Sequence, residues 1–206
     1  QFGINIAVSP GLNDVQEQEA EVLKAVSAFL DQNIDPTWFT LNISCPNTED
    51  DPTGRQTETQ TRQLCAALVG DIRSRHLTIP VWVKISPGLA AEQYRILMRV
   101  FHEVGIRAVI ATNTLGQPAP DDPNLTAGVG GGRLHSSVMD AVRTLVQEKL
   151  RHNYAVDVIG CGGVMDGQTY RDFLDCGAAA VQYWSALIYR GPLAAAVIKN
   201  ELKHVT

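Results

Sequence analysis

The sequence lacks the features that mark several large classes of protein. Its 206 residues contain four scattered cysteines and no C-x-x-C pair, so neither a zinc site nor a disulfide framework is indicated. No apolar run approaches the roughly 20 residues that span a bilayer, and the amino terminus lacks the basic-then-apolar order of a signal peptide. We therefore expect a protein of the reducing cytoplasm, without a bound metal.

Clustered positive charge is also missing. The 17 Lys and Arg residues are outnumbered by 22 Asp and Glu residues, and the net charge is -5. A nucleic-acid surface needs clustered Lys and Arg, so no nucleic-acid partner is expected. No low-complexity segment or linker divides the chain, and a single domain over residues 1–206 is the default expectation at this length.

Short apolar or β-branched runs alternate with amphipathic segments along the whole chain. Such alternation predicts parallel strands joined by crossover helices. The predicted strands cover residues 2–8, 38–44, 81–86, 108–112, 155–160 and 179–185. The predicted helices cover residues 14–32, 57–76, 90–104, 136–151, 167–175 and 192–204. Repeated units of this kind fold as an open doubly wound sheet or as a closed (β/α)8 barrel, and periodicity alone does not choose between them.

Several predicted strands end in polar residues, which a parallel α/β fold gathers on one face. The second strand leads into Asn42-Ile43-Ser44-Cys45-Pro46-Asn47-Thr48, where a thiol lies between two carboxamides. This arrangement suits proton abstraction from a bound polar ring, and a buried cysteine in an Asn/Pro turn is the alternative. The other polar residues in or after predicted strands are Asn5, Lys84, Thr112, Asn113 and Thr114.

Lys84 stands in the middle of the apolar third strand. A buried ammonium group without an anionic partner is costly. We therefore expect either a negatively charged ligand near it, or a lysine that faces outward or pairs with an acidic residue.

Glycine-rich segments follow the later strands. Gly160-Cys161-Gly162-Gly163 ends the fifth strand, and Trp184-Ser185 ends the sixth, ahead of a helix that starts near Gly191-Pro192. Backbone amides in such turns and at helix starts bind phosphate, and barrels place that site after their last two strands; an αL turn without a ligand is the alternative. Gly130-Gly131-Gly132 lies in an aperiodic loop over residues 114–133 and lacks the context of a dinucleotide fingerprint. His135, at a predicted helix start, favours a capping or solvent-facing role.

Seven segments of the chain, taken in order and spacing, resemble the dihydroorotate dehydrogenase family. They are Gly3-Ile4-Asn5-Ile6, Asn42-Ile43-Ser44-Cys45-Pro46-Asn47-Thr48, Val83-Lys84-Ile85-Ser86-Pro87, Ile110-Ala111-Thr112-Asn113-Thr114, Gly131-Gly132, Ile159-Gly160-Cys161-Gly162-Gly163 and Val181-Gln182-Tyr183-Trp184-Ser185-Ala186-Leu187. The resemblance implies an α/β fold of the TIM (β/α)8-barrel type that binds FMN and oxidises dihydroorotate to orotate.

The resemblance also assigns roles to residues. Cys45 falls where the family has its general base, which removes the C5 proton while hydride leaves C6 for flavin N5; a thiolate is the competent form. Lys84 is implied near the flavin N1/O2 edge, where negative charge develops on reduction. The implied substrate contacts are Asn42, Asn47, Asn113 and Thr114. The implied FMN contacts are Asn5, Asn42, Lys84, Thr112, Gly132, Gly162, Gly163, Trp184 and Ser185.

Departures from the family pattern leave some properties open. Cys45 matches the soluble class, whereas Asn47-Thr48 and the segment over residues 110–114 are closer to the membrane-associated, quinone-using class. Ala7 and Val8 stand where the family has Gly then Lys, and Trp184 replaces a common Tyr. The sequence therefore does not decide whether the electron acceptor is fumarate, NAD or a quinone. It also does not decide whether the protein forms a homodimer, associates with a membrane or has an electron-transfer subunit.

The six predicted units match the third to eighth units of the family's barrel, and the first two have no counterpart. We expect a partial barrel, which belongs to a longer chain or receives the missing units from elsewhere, because an open arc exposes strand edges and apolar surface. Two other functions stay open at this point. One is a related FMN barrel that acts on another dihydropyrimidine, and the other is a truncated barrel without catalytic activity.

Overall fold

In the computed structural model, six parallel strands form one sheet. The structure describes residues 1–9, 11–12, 14–43, 58–119, 121–122 and 124–205. In chain order the strands are β1 (Gly3–Ala7), β2 (Trp38–Asn42), β3 (Val81–Ile85), β4 (Ala108–Ala111), β5 (Leu115–Pro118), β6 (Thr126–Val129), β7 (Asp157–Cys161) and β8 (Ala180–Gln182). The sheet has the order β1-β2-β3-β4-β7-β8, while β5 and β6 form a separate antiparallel hairpin.

Helices connect the strands of the sheet. They are α1 (Val15–Leu30), α2 (Glu58–Ser74), α3 (Ala91–Val104), α4 (His135–His152), α5 (Gly167–Asp175), α6 (Ser185–Arg190) and α7 (Ala194–Leu202), and a 3-10 turn over Gly131–Leu134 precedes α4. Among the helices in these ranges, none is long and apolar enough to cross a membrane.

The main core lies between the sheet and the helices. Alternate residues of β3 (Val81, Val83 and Ile85) are buried in it, whereas Trp82 and Lys84 between them are only partly buried. This alternation follows from the pleat of a strand, whose successive side chains point to opposite faces. The helices complete the core with apolar residues such as Val26, Leu68, Phe101 and Leu145.

A smaller apolar cluster occupies the opposite, concave face of the sheet. Ala108, Ile110 and Ile159 are buried there, with Trp82 and Cys161 packed against them. At the amino end of the same face the rings of Trp38 and Trp82 stack, with centroids 4.2 Å apart and planes inclined by 14°. Within the described part of the chain, β1 and β8 pair on one side only, so the sheet is an open arc. The prediction of six units of a β/α barrel is confirmed.

Two parts of the sequence-based description are wrong. The loop over residues 114–133 contains the β5–β6 hairpin and the 3-10 turn. Its strands are four residues long and rich in Gly and Pro, so they carry no alternating pattern. The sixth strand stops at Gln182, and Ser185 begins α6 ahead of the predicted last helix. A run as short as Tyr183-Trp184-Ser185 fits the end of a strand or the start of a helix equally well.

Candidate active site

A cavity of about 490 Å³ lies at the carboxyl ends of four strands, β3, β4, β7 and β8. In parallel α/β folds this end of the sheet carries binding sites, because the loops after the strands meet there. Eight of the predicted site residues line it: Lys84, Thr112, Asn113, Thr114, Gly162, Gly163, Trp184 and Ser185. The arrangement of the strands thus brings together residues that are far apart in the chain.

Lys84 provides the positive charge of the cavity wall. It precedes the last residue of β3, and its side chain lies on the concave face because Val83 and Ile85 are buried on the other. The thiol of Cys161, at the end of β7, lines the same cavity and is close enough to be influenced by the positive charge of Lys84. The idea that Lys84 faces outward at a strand edge is therefore wrong, since β3 lies inside the sheet.

Burial raises the pKa of the Cys161 thiol, and the neighbouring Lys84 ammonium opposes that shift in part. The net effect is a pKa above the ordinary value of a cysteine thiol, so Cys161 is a neutral thiol at neutral pH. The thiol therefore does not cancel the positive charge that Lys84 brings to the cavity wall.

Backbone hydrogen bonds fix the polar residues that follow β4. The amide of Thr112 donates to the carbonyl of Cys161 at 2.7 Å, and the amide of Asn113 donates to the carbonyl of Ile85 at 2.9 Å. Thr112 is only 1% exposed, and its peptide bond to Ala111 is cis. The two backbone hydrogen bonds hold the segment after β4 between its two neighbouring strands.

Side-chain contacts extend this arrangement to β2. Nδ2 of Asn113 donates to Oδ1 of Asn42 at 3.4 Å, and Oδ1 of Asn113 accepts from the amide of Thr114 at 2.9 Å. Two carboxamides thus lie side by side at the carboxyl end of the sheet. Amide groups of this kind bind the polar edges of a heterocycle and discriminate against rings that lack those edges.

Glycines form the opposite wall of the cavity. Gly162 and Gly163 have φ values of 123° and 82°, in the region that glycine adopts without steric cost. At Gly163 a Cβ atom would lie 2.6 Å from the backbone nitrogen of His135, so the close approach of β7 to the start of α4 also requires glycine. Gly131 lies across from Ser185, whose Oγ would be 3.2 Å from a Cβ at Gly131.

Of the other five predicted site residues, three do not line the cavity and two lie outside the described residues. Asn5 lies on the concave face of the edge strand β1, paired with Thr40, and Asn42 contacts the site through Asn113. Gly132 is exposed in the 3-10 turn, and the neighbouring Gly130 and Gly131 line the cavity instead. Cys45 and Asn47 lie outside the described residues, so their roles stay predictions.

Sequence reasoning missed several cavity residues. Cys161 was visible within the glycine motif, but only its spatial closeness to Lys84 singles it out. Tyr189 belongs to α6, which the sequence did not indicate, and Tyr183 carried no pattern of its own. The expectation for His135 is wrong as well, because Nε2 of its half-buried ring lies 2.9 Å from Oδ2 of Asp172. It therefore links α4 to α5 and does not cap a helix.

The open arc of parallel strands and the cavity at their carboxyl ends define a β/α-barrel protein with a small-molecule site. The family model described as dihydroorotate dehydrogenase matches residues 2–206. The chain belongs to the dihydroorotate dehydrogenase family.

Individual relatives show how much of the family's length is present. The dihydroorotate dehydrogenase (quinone) of Leifsonia xyli subsp. xyli is 32% identical over 205 residues, which are 98% of this chain and 57% of that protein. The protein of the same name from Bordetella avium is 35% identical over 75% of this chain and 46% of its own length. The chain therefore spans about half the length of these curated relatives.

Solved structures agree on the fold. The ligand-free DHODH of Eimeria tenella superimposes with a TM-score of 0.79 at 24% identity, over 97% of this chain and 58% of that one. The complex of the same protein with ferulenol gives a TM-score of 0.76 at 25% identity, over 89% of this chain and 53% of that one.

Proposed function

We propose that this chain binds FMN and dihydroorotate and takes part in the oxidation of dihydroorotate to orotate. The observation that carries the proposal is one cavity that gathers Lys84, the polar segment 112–114, the Gly162-Gly163 turn and Ser185. The family supports the substrate, since the relatives named above are dihydroorotate dehydrogenases.

The cavity suits a flavin mononucleotide in size and in chemistry. Its volume of about 490 Å³ falls in the range of small-molecule sites. One wall offers a glycine turn and the hydroxyl of Ser185, which are the groups that bind a phosphate. Another wall offers the Lys84 ammonium, which suits a ring edge that becomes negative on reduction. The residues present therefore fit FMN.

Bound FMN supplies the ability to accept a hydride from the substrate. In this proposal Lys84 holds the flavin ring and stabilises negative charge at its edge. Asn42, Asn113 and Thr114 orient the substrate ring by hydrogen bonds to its polar edges. Cys45, which lies outside the described residues, takes the proton from the substrate carbon as a thiolate.

The electron acceptor that we propose is a quinone. Both curated relatives are named as quinone enzymes, and the segment over residues 110–114 resembles that class. A chain with bound FMN that has been reduced by dihydroorotate should then pass electrons to a soluble quinone analogue and not to fumarate or NAD. Preferential reduction of fumarate or NAD would contradict this choice of acceptor.

The first experiment is a visible spectrum of the purified chain after addition of FMN and removal of the excess. Bound flavin should bleach when dihydroorotate is added without oxygen, and dihydrouracil should leave it oxidised. Bleaching by dihydrouracil instead would favour another dihydropyrimidine as the substrate. A chain that retains no FMN would contradict the proposal for this chain.

A further inference from the structure

Helix α7 is apolar on two sides. Ala194 and Ile198 are buried on the side that packs against α5. Leu193, which precedes the helix, is followed at helical spacing by Ala196 and Val197, and all three are exposed. A helix that is apolar all round is normally buried all round, so the outer side of α7 has the composition of a buried surface.

The exposed apolar surface continues onto α6. Ile188 and Tyr189 are 62% and 80% exposed there, and Leu193 and Val197 are 69% and 38% exposed. Among the described residues, nine large apolar side chains are exposed, and these four fall between residues 188 and 197. Exposed apolar residues are ordinary when they are scattered, whereas a contiguous patch marks an interaction site. We call Ile188, Tyr189, Leu193, Ala196 and Val197 the α6–α7 face.

Charge is nearly missing from this face. Arg190 is the only charged residue over residues 185–198. Its guanidinium forms an ion pair with Glu201 and donates a hydrogen bond of 2.8 Å to the carbonyl of Met165, so its charge is already matched within the chain. A partner recognised by charge would find little here to pair with. The surface that covers the α6–α7 face must itself be apolar, and a second α6–α7 face is such a surface.

We propose that the α6–α7 face pairs with the same face of a second copy of the chain, about a twofold axis near Ala196. The face and the exposed residues between its members present on the order of 600 Å² of mostly apolar surface, against roughly 800 Å² per partner in a standard interface. A twofold axis brings the same patch of both copies together. The small side chain of Ala196 lets two α7 helices approach closely, and their antiparallel dipoles attract each other.

The pairing requires no bound FMN and so does not depend on the proposed function. Tyr189 belongs to the α6–α7 face and also lines the cavity, so the second copy lies beside the cavity mouth.

Sedimentation velocity over a dilution series of the purified chain tests the pairing. We expect a species near twice the 22.4 kDa of one chain, which dissociates on dilution. Leu193→Glu should raise the dissociation constant of this dimer at least about tenfold, because pairing would bury a carboxylate without a partner. A chain that sediments as a monomer throughout the series would overturn the inference.

Leu150→Glu is the matched control. Leu150 on α4 is 73% exposed and lies outside the α6–α7 face, so the same change of charge there should leave the dissociation constant within about twofold. Equal weakening by both substitutions would show a general effect of charge and overturn the inference. If Leu193→Glu does not fold, as judged by circular dichroism, Val197→Glu takes its place with the same expected result.

Two other modes of association give different outcomes. Phe2→Glu, beside the free edge of β1, should leave the dimer intact; a dimer lost in Phe2→Glu and kept in Leu193→Glu would show pairing through strand edges and overturn the inference. A monomer that binds phosphatidylcholine vesicles through Leu193 would assign the face to a lipid surface, which also overturns it. A chain that dimerises through Leu193 but retains no FMN supports the pairing and contradicts the proposed function alone.

Discussion

Gly160 on β7 and Phe173 on α5 are in such close contact that a Cβ atom at Gly160 would lie 2.3 Å from Cδ1 of the ring. Phe173 is fully buried, so its ring is enclosed by the core on the side away from Gly160. The contact sets the distance between α5 and β7, and Gly162-Gly163 follows directly on β7. The packing of these two residues therefore supports the position of the glycine wall of the cavity.

Gly160→Ala should destabilise the chain by about 2 kcal/mol, because an added methyl group in a well-packed core forces neighbouring side chains out of their rotamers. Urea unfolding followed by circular dichroism measures the change in the free energy of unfolding. FMN affinity should fall in the same variant, since the adjacent turn moves with β7.

Gly70→Ala is the matched control for this substitution. Gly70 lies within α2, and a Cβ atom there would have no neighbour within 4 Å. Alanine should stabilise the helix by roughly 0.5–1 kcal/mol, because glycine has the larger backbone entropy to lose. Loss of stability in both variants to the same extent would contradict the role of the Gly160–Phe173 contact.

A second prediction concerns the acid stability of the region behind the glycine turn. Arg190 of α6 forms an ion pair with Glu201 of α7, and Glu201 also accepts a hydrogen bond of 3.0 Å from the amide of Gly167. The hydrogen bond from Arg190 lowers the pKa of the Glu201 carboxyl from its ordinary value of 4.5. The stabilisation is therefore present above about pH 4.5 and is lost as the pH falls through the lower pKa of the folded state.

Glu201→Gln should thus be less stable than the unsubstituted chain at neutral pH, and the two should converge as the pH falls below 4.5. Thermal unfolding at several pH values measures the difference. In an Arg190→Met background the same substitution should have a smaller effect at neutral pH. A difference that grows toward acid would contradict the assignment.

A third prediction concerns cysteine reactivity. Complete burial raises the pKa of Cys65 to about 12, and the thiolate is the form that reacts with alkylating agents. Iodoacetamide at pH 8 should leave Cys65 unmodified in the folded chain and modify it in urea, as read by peptide mass spectrometry. Cys176, which is partly exposed, should react in both conditions. Equal modification of Cys65 and Cys176 in the folded chain would show that the core around α2 opens readily.

The sequence predicts much of this fold because local pattern and global arrangement agree. The alternation in β3, with Val81, Val83 and Ile85 buried on one side, is the period of a strand. Residues that end successive parallel strands must meet at one edge, so the grouping of Lys84 with Asn113 and Ser185 follows from the strand assignments alone.

The remaining features depend on contacts between residues far apart in the chain. Lys84 of β3 and Cys161 of β7 come together at the cavity wall, and no local pattern encodes this closeness. The pairing of His135 with Asp172 depends in the same way on how α4 packs against α5. Short elements such as α6 and the β5–β6 hairpin carry too few residues to show a period, so the exposed Tyr189 could not be placed at the cavity.

The last prediction concerns the exposed aromatic ring at the cavity mouth. Trp184 lines the cavity and is 71% exposed, while Leu150 on α4 is 73% exposed outside its lining. A ligand that covers part of the indole ring removes apolar surface from water, and roughly 40 Å² of such surface contributes about 1 kcal/mol.

Trp184→Ala should therefore weaken FMN binding by about fivefold, whereas Leu150→Ala should leave it unchanged. Because both side chains are exposed, neither substitution should alter the free energy of unfolding by more than about 0.5 kcal/mol. Unchanged FMN affinity in Trp184→Ala, with folding intact, would place the ligand away from this end of the cavity.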